Sequence, residues 1–195
     1  MSNSQTHVCE PFPSPRYTER QTTMKTFALS VALAAASISH FSPASAQVNT
    51  SGYYVPVKLA EKAAEAALKA CADRGYPVNA FVVDTAGLVI VQLRGDHATV
   101  HTKDSAFRKA YTVVTMGPIF GLEKTSEFVQ LVAKYPNGTG AQLASAPNVV
   151  ALPGAVAIKR GSEIVAGLGV GGSPGGDKDE ECAAAGVAAI SADVK

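Results

Sequence analysis

The chain has 195 residues, 47% of them hydrophobic, with 17 Lys and Arg against 16 Asp and Glu. That composition excludes a largely disordered chain and supports a sizeable core, and the length sets one or at most two domains. From Gln47 onward 14 basic residues face 14 acidic ones without a basic stripe, which argues against nucleic acid and against an anionic membrane surface as partners.

The N-terminus reads as a targeting segment. Lys25, the apolar run Phe27–Ile38 and then Ala44-Ser45-Ala46 supply the charged start, short apolar core and Ala-x-Ala site of a secretory signal peptide. The run is too short to span a bilayer. Residues 24–46 are therefore expected to be the signal, with cleavage after Ala46 and a periplasmic or secreted product. Residues 1–23 read as a mis-called extension ahead of Met24, the alternative being a long charged leader. Residues 47–195 form the expected mature domain.

Pro56 suits a first helical turn, and Leu59, Ala60, Ala63, Ala64, Ala67, Leu68 and Cys71 fall at helical spacing up to Gly75. Val78–Asp84 and Leu88–Arg94 are β-rich runs joined by a short Gly-containing link, the pattern of a hairpin. Asp84 at its first turn position is expected to bond backbone N–H groups rather than to act as a catalytic carboxylate.

Thr102 is placed to cap the next helix, with Asp104 favourable in its first turn. Ala106, Ala110, Val113 and Val114 give it an apolar face, and Gly117-Pro118 is expected to end it. Thr125 or Ser126 starts a short helix through about Lys134, and Tyr135–Pro147 reads as a loop. Val149–Leu152, Ala155–Lys159 and Glu163–Val170 read as strands, and Asp177–Ile190 as a final Ala-rich helix. Hairpins without a repeated βαβ unit predict an α+β domain, with an antiparallel sheet of about five strands packed with helices. Cys71 and Cys182 sit in Ala-rich helical settings and are expected to be two buried thiols rather than a disulfide. No Cys/His metal spacing occurs.

Several constellations fail as motifs. Gly167, Gly169 and Gly172 satisfy G-x-G-x-x-G, but the following strand and acidic residue of a dinucleotide site are missing. Alternating glycines on a strand instead permit close approach by another backbone or a flat ligand. The run Asp177–Glu181 would repel phosphate and is expected to be a solvated helix start. His97 and His101 are four apart, yet no H-E-x-x-H arrangement follows. Ser105 has neither a G-x-S-x-G context nor a triad. His101, Arg108, Lys109 and Tyr111 together present an imidazole, two cations and a phenol. That set can hold a carboxylated ligand or a haem, with His101 on the metal and a cation on a propionate, or else be a surface histidine among solvated cations.

Three segments carry a resemblance. Arg94-Gly95-Asp96 through His101-Thr102, with Ser105-Ala106 and Arg108-Lys109-Ala110-Tyr111-Thr112, resembles the central motif of the GlcG/HbpS-like haem-binding family. Gly167 through Gly176-Asp177-Lys178-Asp179-Glu180 and Cys182-Ala183 resembles its closing motif, and Val82-Val83-Asp84 with Gly87 its first hairpin. The resemblance covers about Val55–Ile190. It implies a compact α+β domain, homo-oligomeric assembly, and haem or a related small molecule as ligand, in haem handling or redox sensing. The chain departs from the family at Asp96-His97-Ala98, where Asp-Gly-Ala is frequent, and its first helix has no histidine. The expected ligand set is His101 on the metal, Arg108, Lys109 and Tyr111 around it, and Gly169, Gly171 and Gly172 as a close-approach wall. The rival readings are a cofactor-independent enzyme using His101 as general acid/base on a small organic acid, and a structural oligomer.

Overall fold

The computed structural model describes residues 51–195; the segments read as a signal peptide and an upstream extension lie outside them. The order is α1 (Val57–Ala72), β1 (Asn79–Asp84), β2 (Val89–Arg94), α2 (His101–Phe120), α3 (Thr125–Lys134), α4 (Thr139–Ala144), β3 (Ala155–Arg160), β4 (Glu163–Gly171) and α5 (Gly176–Ala188). The strands form one antiparallel sheet in the order β2-β1-β4-β3. It is the expected α+β domain with four strands. Val149–Leu152 is not a strand: Val150 N–H donates to the Thr112 hydroxyl on α2 instead of to a neighbouring strand. No helix of the described residues is long and apolar enough to cross a membrane.

Helices cover both faces of the sheet, so the central strands are buried on both sides. Side chains alternate along a strand, and the two faces differ in kind. Ala80 and Val82 of β1, Val156 and Ile158 of β3, and Ala166, Leu168 and Val170 of β4 pack beneath α1 and α5. On the other face Phe81, Val83, Ala155 and Ala157 meet α2 through Ala106, Ala110, Val113 and Val114. There β4 offers Ile164 near its start and then Gly167, Gly169 and Gly171. A Cβ on Gly169 would run into the Ala106 carbonyl and the Ala110 nitrogen, and one on Gly171 would lie 2.9 Å from the Thr102 carbonyl. The alternating glycines thus receive the backbone of α2, not a flat ligand.

On the α1/α5 face Cys71 and Cys182 are bonded to each other, with Cα atoms 5.6 Å apart and a sequence separation of 111. This corrects the expectation of two free thiols. Each cysteine does occupy the buried stripe of its helix, as its spacing predicts, but α1 and α5 pack those stripes together.

The hairpin turn is as expected: Ala86 and Leu88 N–H both donate to Asp84 Oδ1 at 2.9 Å. Two boundaries differ. α2 runs past Gly117-Pro118 to Phe120 and closes at Gly121 in the left-handed region, since a proline in the last turn forfeits only one backbone bond. The segment Tyr135–Pro147 contains α4, a short helix that begins beyond Gly138 (φ 78°).

Candidate functional site

α2 begins at His101, one residue before the expected cap. Thr102 lies inside the helix, where its hydroxyl donates to the Thr99 carbonyl at 2.8 Å and accepts from Asn79 Nδ2 at 2.8 Å. The buried Asn79 side chain of β1 therefore ties the first turn of α2 to the sheet. His101, Ser105 and Lys109 follow at intervals of four. They form one stripe along the helix with a rise of about 6 Å between rungs.

All three line a single cleft of about 590 Å³, within the range for small-molecule sites. Its other walls include Leu152 and Pro153 before β3, Gly172 and Ser173 from the β4–α5 turn, and Gly176 and Asp179 from the first turn of α5. The first turns of two helices, α2 and α5, border the same cleft.

The floor is a buried ion pair. Lys109 Nζ lies 2.7 Å from Asp179 Oδ2, and both side chains are only 4% exposed. Lys109 also donates to the Val170 carbonyl at 3.0 Å. Asp179 Oδ1 accepts from Ser173 N–H at 3.0 Å, with the Ser173 hydroxyl at 2.7 Å. One carboxylate thus anchors the glycine-rich turn to α2. The neighbouring Glu180 is half-buried and accepts from Ser126 N–H at 2.9 Å and from the Ser126 hydroxyl at 2.6 Å, closing the start of α3.

The expected solvated helix start is therefore corrected at these two positions. Asp179 falls on the buried stripe of α5 with Cys182, Ala183 and Gly186. Its burial is tolerated because Lys109 and Ser173 satisfy both oxygens.

A family model described as haem degrading protein HbpS-like matches residues 55–188. The chain belongs to the HbpS-like family. HbpS of Streptomyces reticuli, in a doubly substituted form, is similar at 36% identity over 72% of this chain and 90% of that one, with a TM-score of 0.65. A PduOC–heme complex is similar at 25% identity over 71% of this chain and 96% of that one, with a TM-score of 0.61. The Klebsiella pneumoniae protein ORFY, at 21% identity over 74% of this chain and 96% of that one, shares the fold with a TM-score of 0.63. No curated protein matches the chain.

In this HbpS-like chain the expected site residues do not all meet. His101, Lys109 and Gly172 line the cleft. Gly169 and Gly171 lie under α2 instead. Arg108 is half-buried and donates to the Val149 carbonyl at 2.5 Å. Tyr111 packs beside Phe107, rings 5.9 Å apart, and over Gly87 at the hairpin turn. His101 begins α2 rather than preceding it, and it is exposed.

His97 belongs to a second cleft, of about 540 Å³, with Leu68, Tyr76 and Arg94 among its walls. Its φ of 63° is left-handed, the region where glycine is free of strain; this accounts for the glycine frequent there in the family resemblance. Arg94 closes that loop by donating twice to the Ala98 carbonyl, at 3.0 and 2.6 Å.

Ser105, Ser173, Asp179, Leu152 and Pro153 were not expected at the site. The interval His101, Ser105, Lys109 is legible in the sequence once the helix is known to start at His101. Asp179 is legible as the next step back along the Cys182, Ala183, Gly186 stripe.

Proposed function

We propose that this HbpS-like chain binds haem, or another small carboxylated ligand, in the cleft at the start of α2, with His101 as the iron ligand. The observation that carries the reading is the imidazole of His101. It is exposed at the rim of that cleft and has no hydrogen-bond partner among the described residues. A neutral imidazole is a common haem iron ligand. A haem also needs a flat apolar wall and a positive environment for its carboxylates. Leu152 and Pro153 supply the first, and the starts of α2 and α5 supply the second through their aligned peptide dipoles. The donor set therefore fits the group.

Bound haem would contribute a redox-active iron, while the chain's own residues hold and orient it. Arg108 supports the site indirectly by holding the Val149 carbonyl, and Asp179 holds the turn that forms one wall. Family membership and the heme complex of a relative support the same reading. Among the described residues no group of three His, Cys, Asp or Glu could hold a bare metal ion, so His101 is assigned to a metal that brings its own macrocycle. Titration of the protein with haemin tests this: a saturable, red-shifted Soret band supports it, and a spectrum identical to free haemin contradicts it.

The proposal extends to compartment and assembly. A disulfide buried in the core suits an oxidising compartment, in keeping with the signal read at residues 24–46. Leu88 and Val89 are exposed beside the free edge of β2, a feature that association covers. Native mass spectrometry of exported material is expected to show a dimer or larger of chains beginning near Gln47. A monomer retaining Met1 contradicts both points.

A further inference from the structure

We propose that the floor of the His101 cleft is a seat for a carboxylate, formed by the Ser105 hydroxyl and the one ammonium proton of Lys109 that the fold leaves over. The inference rests on the reading of this cleft as a ligand site, and it concerns the acidic end of the ligand, not the iron.

An ammonium has three protons to donate. Lys109 gives one to Asp179 and one to Val170; the third has no acceptor among the described residues. The side chain is 4% exposed and lines the cleft, so bulk water is a poor partner for that proton and an oxygen from a ligand is a good one. Ser105 is set apart within its own helix. Thr112 and Thr115 turn their hydroxyls back onto the carbonyls four residues earlier, both at 2.7 Å. Ser105 makes no such bond and has no partner among the described residues; it is half-buried and lines the same cleft one rung above Lys109.

The sign of the ligand follows from the surrounding charges. Lys109 and Asp179 cancel, and both Asp179 oxygens are already engaged. Asp104 and Asp177 lie in the first turns of α2 and α5, but both are exposed and neither lines the cleft. What remains at the cleft is the positive end of a 20-residue helix and that of a 13-residue helix, each equivalent to about half a charge. A single negative charge is favoured. Two donors match the two oxygens of a carboxylate, whereas a phosphate would bring a second charge beside Asp179 and a third oxygen without a donor. Leu152 and Pro153 add an apolar wall, so the ligand is an organic acid with a flat, apolar body.

The test uses the full chain and two probes, haemin and haemin dimethyl ester, which differ only in whether the carboxylates are free. The wild type is expected to bind haemin about 10- to 100-fold more tightly than the ester, as the loss of charge-assisted hydrogen bonds predicts. Ser105→Ala leaves the buried ion pair in place and is expected to lose about tenfold on haemin and nothing on the ester. Equal binding of the two probes by the wild type, or an unchanged preference in Ser105→Ala, overturns the seat. If neither probe changes the spectrum, the haem reading fails by itself, and the seat is judged on sodium benzoate. A saturable shift of the Lys109 amide resonance, weakened about tenfold in Ser105→Ala, then upholds the seat, and no shift, or one unchanged in the variant, overturns it.

Discussion

The two faces of the sheet solve different problems with the same strand. From Ala166 to Gly171, β4 turns Ala, Leu and Val toward α1 and α5, and Gly, Gly and Gly toward α2. The first face is an aliphatic core closed by the Cys71–Cys182 bond. The second buries little side-chain volume on β4 and instead lets a helix backbone lie against the strand. That close approach brings Lys109 within reach of the Val170 carbonyl and Asp179, and so fixes where His101 and Ser105 stand. One face holds the fold together, and the other sets the position of the helix that carries His101 and Ser105.

The largest effect is expected on the α2 face. Lys109→Met leaves the Asp179 carboxylate buried without its cation, which costs about 3–5 kcal/mol, and it frees the turn that Ser173 anchors. Denaturant unfolding should show that loss. Adding Asp179→Asn should restore part of it, because no uncompensated charge then remains. Independent, additive losses would show that the pair is not coupled.

Next comes the opposite face. Replacing Cys71 and Cys182 with alanine removes a link across 111 residues, and loss of such a bond costs about 2–5 kcal/mol. The melting temperature should fall while haemin affinity of the folded protein stays within about twofold, a difference of about 0.4 kcal/mol. A large loss of affinity would mean that the two faces are not separable in function.

The smallest of the three is Gly169→Ala. Its new methyl meets the Ala106 carbonyl and the Ala110 nitrogen, and overpacking of this kind costs about 1–3 kcal/mol. The more telling readout is ligand affinity, because α2 must lift and carry His101 and Ser105 with it. Unchanged affinity would separate the glycine stripe from the site.

Much of this comparison was legible in the chain. The helical spacing from Leu59 to Cys71, the apolar face of Ala106, Ala110, Val113 and Val114, and the turn chemistry of Asp84 all lead to the observed elements. Their signals are local. The disulfide is not local: each cysteine reads correctly as buried, but the meeting of two buried stripes 111 residues apart is decided by how α1 and α5 pack. The fifth strand failed for the same reason, since Val149–Leu152 is apolar enough but finds Thr112 rather than a strand as partner.

Of the residues that line the cleft, His101, Lys109 and Gly172 were read from the sequence by residue type. Arg108 and Tyr111 were grouped with them by proximity in sequence, but Arg108 is engaged by the Val149 carbonyl and Tyr111, about 200° around the helix from Lys109, packs against Phe107. Asp179 was read as solvated because it lies in an acidic run, where its neighbours Asp177 and Glu181 are indeed exposed.

The central claim is that His101 is the group in this chain that meets the ligand's iron. His101→Ala removes an exposed side chain at the start of a 20-residue helix, so the fold should be retained and circular dichroism should be unchanged. Haemin titration of that variant, beside the wild type and His97→Ala, is the direct measurement. The account predicts that the red-shifted Soret band of the wild type is lost in His101→Ala and kept in His97→Ala, whose imidazole lines the other cleft. A Soret band that survives intact in folded His101→Ala would contradict it.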